Sequence, residues 1–256
     1  MHPPSDRTRD EERRRQDERA GAKRTAHDRY AMRRLLREQA DRMLALVPSD
    51  AYIVDLGCGV GDFLEHAARH GDHRALGIDL SPESVRLARE RFAGNDRVDA
   101  IEASADTLSR VLADHAPPPQ ADAVFMRGVI HHLETPAAVF REVRRALRPG
   151  GRLVVLEGNV NSAYRRLALG VADLLGVEHE ASQFPHTPVE DITRLLGECG
   201  FGEIEVRYVP ALSAPLAYLG LGNQTFWTLA NRLDRLGGRL APRMVGWWYL
   251  LSATAE

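Results

Sequence analysis

The sequence predicts an α/β fold built on a doubly wound, mostly parallel sheet. Short apolar runs alternate with longer segments of helical periodicity from residue 52 to residue 157. The first run stops at a Gly-x-Gly-x-Gly turn with a helical pattern directly behind it, and the second ends in an acid, Asp79, 18 residues after Gly61. Strands that alternate with helices need crossover connections, which makes them parallel. A glycine-rich turn at the carboxyl end of the first strand is where such a sheet takes its ligand.

Residues 6–19 interleave Arg7, Arg9, Arg13, Arg14, Arg15 and Arg19 with Asp6, Asp10, Glu11, Glu12, Asp17 and Glu18. With no apolar stripe to bury, residues 1–28 are expected to form a disordered arm that neutralises its own charge rather than an arm that binds RNA. Residues 29–256 are then the folded domain. Arg33 to Leu46 places Leu35, Leu36, Met43, Leu44 and Leu46 among charged residues, as in a helix packed by one face over the sheet or the ligand mouth. Strands follow at 52–57, 74–78, 98–102, 121–126 and 151–157, with helices at 61–70, 82–93, 105–114 and 136–147.

Behind the fifth strand the rhythm breaks. An insertion over 159–186 holds one helical pattern, Ala163 to Leu175, and a polar loop from His179 to His186. Thr187-Pro188-Val189-Glu190 reads as a capping box with proline at the first helical position, and Gly200 ends that helix. A strand at 203–209 precedes a second insertion, 211–243, in which Phe226, Trp227, Leu229, Leu233, Leu236 and Leu240 recur at helical spacing. The run Gly246 to Thr254 closes the sheet. Both insertions are expected to roof the ligand cleft as a lid or substrate region, and the second also suits a dimer contact, so a homodimer is possible.

The turn carries the chemistry. Glycines at 57, 59 and 61 remove every second Cβ and allow left-handed backbone, so a ligand can lie against the main chain. Asp62 stands where the dinucleotide fingerprint has its third glycine. Asp79, at the next strand tip, is placed to accept from the two hydroxyls of a ribose. With Val54-Asp55-Leu56-Gly57-Cys58-Gly59-Val60-Gly61, Gly77-Ile78-Asp79-Leu80-Ser81, Ala121-Asp122-Ala123-Val124-Phe125 and Leu147-Arg148-Pro149-Gly150-Gly151-Arg152-Leu153 in this order, the chain resembles the class I S-adenosylmethionine-dependent methyltransferases of the small-molecule and natural-product type. The motifs cover residues 50–157.

The resemblance implies a Rossmann-like seven-stranded sheet with an antiparallel C-terminal strand and S-adenosyl-L-methionine as cofactor. It implies that the backbone of Gly57, Cys58, Gly59 and Gly61 cradles the methionine part, that Asp55 helps to hold the ammonium, that Asp79 takes the ribose and that Leu80 packs on adenine. Where the family often has Gly-Asp-Ala after its third strand, this chain has Ala103-Ser104-Ala105. Ser104, Ala105 and Asp106 are the positions for the adenine edge, with an ordinary helix cap as the alternative. Arg127, at the end of the fourth strand, is also assigned to the cofactor.

His131 and His132 leave that fourth strand where an acceptor would meet the sulfonium, and an imidazole titrates near pH ~6.5 and so can take a proton from a hydroxyl. By register His131 resembles the general base of O-methyltransferases acting on phenols, whereas His132 matches a position that is commonly histidine and structural or site-lining. Packing or capping is the alternative for both. Methyl transfer asks mainly for alignment, and a base only where the nucleophile must lose a proton.

Composition bounds the rest. With 44% hydrophobic and 27% charged residues, neither disorder nor a membrane class is indicated overall. A formal charge of −2 argues against a surface built for nucleic-acid phosphates, and the amino-targeting motif of nucleic-acid methyltransferases is replaced by Met126-Arg127-Gly128-Val129. Cys58 and Cys199 are too few for a disulfide framework, no signal-like or membrane-spanning run is found, and a cytoplasmic location is expected. His179, Glu180 and His186 fit no zinc spacing, so no metal is expected. The expected partner is a small apolar or aromatic acceptor with a reactive hydroxyl oxygen. Carbon or nitrogen acceptors on a lipid-, quinone- or natural-product-like substrate remain open, as does a non-methylating member that keeps the cofactor structurally.

Overall fold

The computed structural model describes residues 6–27, 30–115, 120–174, 187–211, 214–215 and 224–256. The polar loop from His179 to His186 lies outside the described residues. Strands β1 (Tyr52–Leu56), β2 (Arg74–Asp79), β3 (Val98–Glu102), β4 (Ala121–Arg127), β5 (Leu147–Gly158), β6 (Phe201–Pro210) and β7 (Gly246–Ala255) form one sheet in the order β3-β2-β1-β4-β5-β7-β6. β1 to β5 are parallel, and β7 runs antiparallel to both β5 and β6. The order reverses between β1 and β4, which opens a crevice at their carboxyl ends.

Helices α1 (Asp6–His27), α2 (Tyr30–Leu44), α3 (Asp62–His70), α4 (Pro82–Arg91), α5 (Leu108–His115), α6 (Pro136–Ala146), α7 (Ala163–Leu174), α8 (Val189–Glu198), α9 (Gln224–Leu240) and α10 (Pro242–Val245) surround the sheet. Alternation along each buried strand divides the core by face. Ile53, Phe125, Val154 and Trp248 meet Met43 of α2 and Phe63 of α3. Val54, Val124, Val155 and Tyr249 meet Leu112 of α5, Phe140 of α6 and Ile192 of α8. The ring centroids of Phe63 and Phe125 lie 4.8 Å apart, which clamps α3 behind the glycine turn.

Three expectations are corrected. Residues 6–27 form a helix, not a disordered arm, because polar contacts to the body substitute for the missing apolar stripe. The Arg-Pro-Gly-Gly motif sits inside β5: Ala121 pairs with Leu147 but Ala123 pairs with Arg152, so residues 148–151 bulge from the ladder around Gly150 (φ 74°). There Arg148 pairs with Asp122, whose other oxygen accepts from the Tyr52 amide at 2.7 Å, so the motif locks the amino ends of three strands, remote from the crevice. Finally, α8 begins at Val189 with Pro188 before it and no side-chain cap; Glu190 accepts instead from Asn161 at 3.4 Å.

Candidate active site

The glycine turn is pinned to the tip of β2. The amides of Gly57 and Cys58 both donate to the Ile78 carbonyl, at 2.7 and 3.1 Å, and the Gly59 amide donates to Asp79 Oδ2 at 2.8 Å. Asp79 Oδ1 accepts from the Ser81 amide at 2.9 Å, so this carboxylate orders the turn. Gly57, Gly59 and Gly61 all have positive φ, at 79°, 52° and 83°. At Gly57 a Cβ would also lie 2.5 Å from Val129 Cγ2, whereas at Gly59 it would meet nothing within 4 Å. The first glycine is therefore required for packing and the second leaves open space above the backbone. Cys58 offers only its main chain, since its Sγ packs toward Gly77. Burial, with the Asp79 and Asp55 charges, pushes that thiol well above its ordinary range.

Asp55 is buried at the end of β1, paired in register with Gly77 and Phe125. Burial lifts its carboxyl to about 7, helped by the Asp79 and Asp62 charges and opposed by Arg127. Arg127 Nη1 is itself buried and finds no hydrogen-bond partner among the described residues. Leu80 is half-exposed after β2. The Ala103 amide donates to the Asp79 carbonyl at 3.0 Å, which brings Ser104, Ala105 and Asp106 to the same rim. Ser104 precedes a 3-10 turn at Ala105–Thr107 without capping it by its side chain, so the simple cap alternative fails there.

Two histidines follow shortly after Val129, which packs on the turn at Gly57. Their rings are 4.2 Å apart, and a carboxylate from a different element lies close to the Nδ1 of each. His131 Nδ1 lies 2.8 Å from Glu157 Oε1 at the end of β5, and His132 Nδ1 lies 3.1 Å from Glu12 Oε1 on α1. Glu157 also accepts from the Ile130 and Gly158 amides, both at 2.9 Å, which compensates for the burial of its charge. A carboxylate only accepts, so His131 donates from Nδ1 and carries its proton-accepting capacity on Nε2. Glu157 was detectable in the sequence: an acid that ends an otherwise apolar strand at the ligand-binding edge is out of place unless paired.

Helix α1 seals the rim with polar contacts. Arg9 pairs with Asp106 at 2.9 Å, Arg13 with Glu102 at 3.3 Å and Arg24 with Glu90 at 2.9 Å. Asp17 Oδ1 accepts from Ser81 Oγ at 2.6 Å and from the Glu83 amide at 3.2 Å, at the favourable N-terminus of α4. Ala20 is fully buried against Val60 and Leu87. Burial alone would raise Glu12, but the close approach of His132, a hydrogen bond from Gln16 and the charges of His132 and Arg15 bring it down to about 2. The contribution of Glu12 to docking is therefore complete above pH ~4.5 and is lost as pH falls toward 2. Exposed pairs are worth about 0–1 kcal/mol each and are screened as the Debye length falls from ~10 Å to ~3 Å between about 0.1 and 1 M salt. Protection factors of the α1 amides, taken against the intrinsic exchange rate at each pH, are accordingly expected to fall at high salt, at acid pH and in Glu12→Gln, with those of β1 and β4 unaffected. Equal protection of α1 in all three conditions contradicts this docking.

A methyltransferase-domain family model matches residues 54–155. The ubiquinone biosynthesis O-methyltransferase of Xylella fastidiosa strain 9a5c is 31% identical over 137 residues, covering 54% of this chain and 52% of the relative. The chain thus spans about half the length of that relative. The protein of the same description from Aeromonas salmonicida is 30% identical over 181 residues, 67% of this chain and 68% of the relative. The chain belongs to the class I S-adenosylmethionine-dependent methyltransferases. A solved member of the family, an S-adenosylmethionine-dependent methyltransferase from Mesorhizobium loti, superposes with a TM-score of 0.56 at 27% identity over 84% of this chain and 96% of that one.

The family's cofactor is S-adenosylmethionine, and the site's chemistry fits it. There is open space over Gly59, a buried carboxyl at Asp55 of the kind that suits an ammonium, and a buried guanidinium nitrogen on Arg127 without a hydrogen-bond partner among the described residues. No helix among the described residues is long and apolar enough to cross a membrane.

Proposed function

We propose that this chain methylates a hydroxyl oxygen on a small, apolar or aromatic acceptor. The observation that carries the reading is the pairing of buried Glu157 with half-buried His131, close in the chain to Val129, which packs on the glycine turn. When bound, the cofactor supplies a methyl already activated by its sulfonium, so the protein chiefly aligns the nucleophile. In this reading the backbone of Gly57, Cys58, Gly59 and Gly61 cradles the methionine part, with Asp55 and Arg127 on its charged groups. Asp79 accepts from the ribose, Leu80 packs on adenine and the Ser104–Asp106 rim meets the adenine edge.

His131 takes the acceptor's proton on Nε2, and Glu157 holds the ring in the matching tautomer and stabilises the charged imidazole that results. His132 lines the site and links it to α1, which keeps water out while docked. The O-methyltransferase descriptions of the Xylella and Aeromonas relatives support oxygen as the acceptor atom. Incubation with methyl-labelled S-adenosylmethionine and parallel phenol, amine and carbon-acid acceptors tests the reading. Label recovered in a methyl ether is the expected result; label on nitrogen or carbon, or no transfer to any acceptor, overturns it.

A further inference from the structure

Every exposed large apolar side chain among the described residues lies on α7, α9 or α10. On α9, Leu229, Leu233, Leu236 and Leu240 follow each other at intervals of four, three and four, which aligns them on one ridge. The opposite side faces the body, where a Cβ at Gly238 would meet Pro210 at 2.5 Å. On α7, Leu167, Val171 and Leu174 make a second exposed ridge, and Leu174 is 85% accessible. Helix α10, with Met244 exposed, packs against both.

The base of this cap is fixed. Buried Asn159 donates from Nδ2 to the Arg243 and Gly246 carbonyls, both at 3.0 Å, and Ser162 Oγ donates to the Met244 carbonyl at 2.9 Å. The leucines are thus held outward by an ordered scaffold that leaves the carboxyl end of β5, beside Glu157.

Charge indicates what covers the face. Residues 163–174 and 224–245 hold six arginines against two aspartates, a net of +4 in a chain whose formal charge is −2. Arg232, Arg235 and Arg239 are exposed and flank the α9 ridge on one side. A second copy is a poor match. In a two-helix seam made by the four leucines, Arg232 and Arg239 occupy one pair of flanking positions and Ala230 and Gly237 the other, so no acid answers either arginine across the two-fold. Exposed leucines bordered by arginines suit the boundary between acyl chains and anionic headgroups.

We propose that the α7, α9 and α10 face docks this protein on an anionic lipid bilayer surface, with these three helices against the membrane. The proposal does not depend on which acceptor is methylated. It is tested by sedimenting the full chain with phosphatidylcholine vesicles made with and without phosphatidylglycerol. Expected is enrichment on the phosphatidylglycerol vesicles that falls with added salt, falls about fivefold for each arginine removed in Arg235→Ala and Arg239→Ala, and is lost in Leu233→Asp/Leu236→Asp. Circular dichroism and S-adenosylhomocysteine binding confirm that each variant is folded. Equal sedimentation with both vesicle types overturns the proposal, as does a lipid-free dimer that the leucine variant dissociates, which would assign the face to a second copy.

Discussion

His131→Ala is expected to lower kcat by about 10²–10⁴-fold, the range lost with a positioned general base, while cofactor binding stays intact. The hydrogen bonds that order the glycine turn run to the Ile78 carbonyl and to Asp79, not to the imidazole, so its removal leaves them in place. Glu157→Gln separates positioning from mere structure. It removes an ionised acceptor from Nδ1, 2.8 Å away, and sets an amide against the Ile130 or Gly158 N–H. Because an adjacent carboxylate favours the protonated ring, its loss moves the acid limb of the kcat profile to lower pH as well as reducing the rate. A lower rate with an unmoved limb would leave Glu157 a structural residue only. Unchanged turnover in His131→Ala would remove that residue from the mechanism.

Asp55→Asn is expected to stabilise the ligand-free protein and to abolish most cofactor binding. The Asp55 carboxyl is raised to about 7 from 3.8, chiefly by burial, so its neutral form is favoured in the folded chain below that pH. A raised acid costs stability as pH climbs from the unfolded value through the folded one, and asparagine avoids that cost. The gain is on the order of 2–4 kcal/mol above pH ~7. Cofactor binding has the opposite preference, because an ammonium group needs the carboxylate. Wild-type affinity for S-adenosylhomocysteine should therefore fall by about tenfold per pH unit below about 7, where binding must first expel a proton. Thermal unfolding and calorimetric titration across about pH 5–8 check both arms. A flat affinity in the wild type, or a lower melting temperature in the variant, contradicts the assignment. The position then illustrates stability given up for a binding site.

Much of this was legible in the chain. The alternation of apolar runs with helical segments, the three glycines and Asp79 located the sheet, its reversal point and the turn, because backbone-driven features have local signatures. His131 and His132 were identifiable from their place after β4. Glu157 is an acid ending the apolar run Leu153 to Leu156, and its anomaly was visible although its partner was not. Arg148 to Gly151 was read as a family marker, yet its work is a β-bulge that binds Asp122, at the far edge of the sheet. Nothing local marked Glu12 or Asp17, which lie 120 and 64 residues from His132 and Ser81.

The sequence by itself determined the fold class, the glycine turn and the family, since each follows from residue type and spacing within a few turns of chain. Tertiary structure alone decided that residues 6–27 form a helix over the rim, that His131 is paired with Glu157 and His132 with Glu12, and that the leucines of α7 and α9 face outward. The physical reason is common to all three. A helix without an apolar stripe, an ionised acid in an apolar strand and an amphipathic ridge each has its free energy set by what lies opposite it, and that neighbour is supplied by distant parts of the chain or lies beyond it.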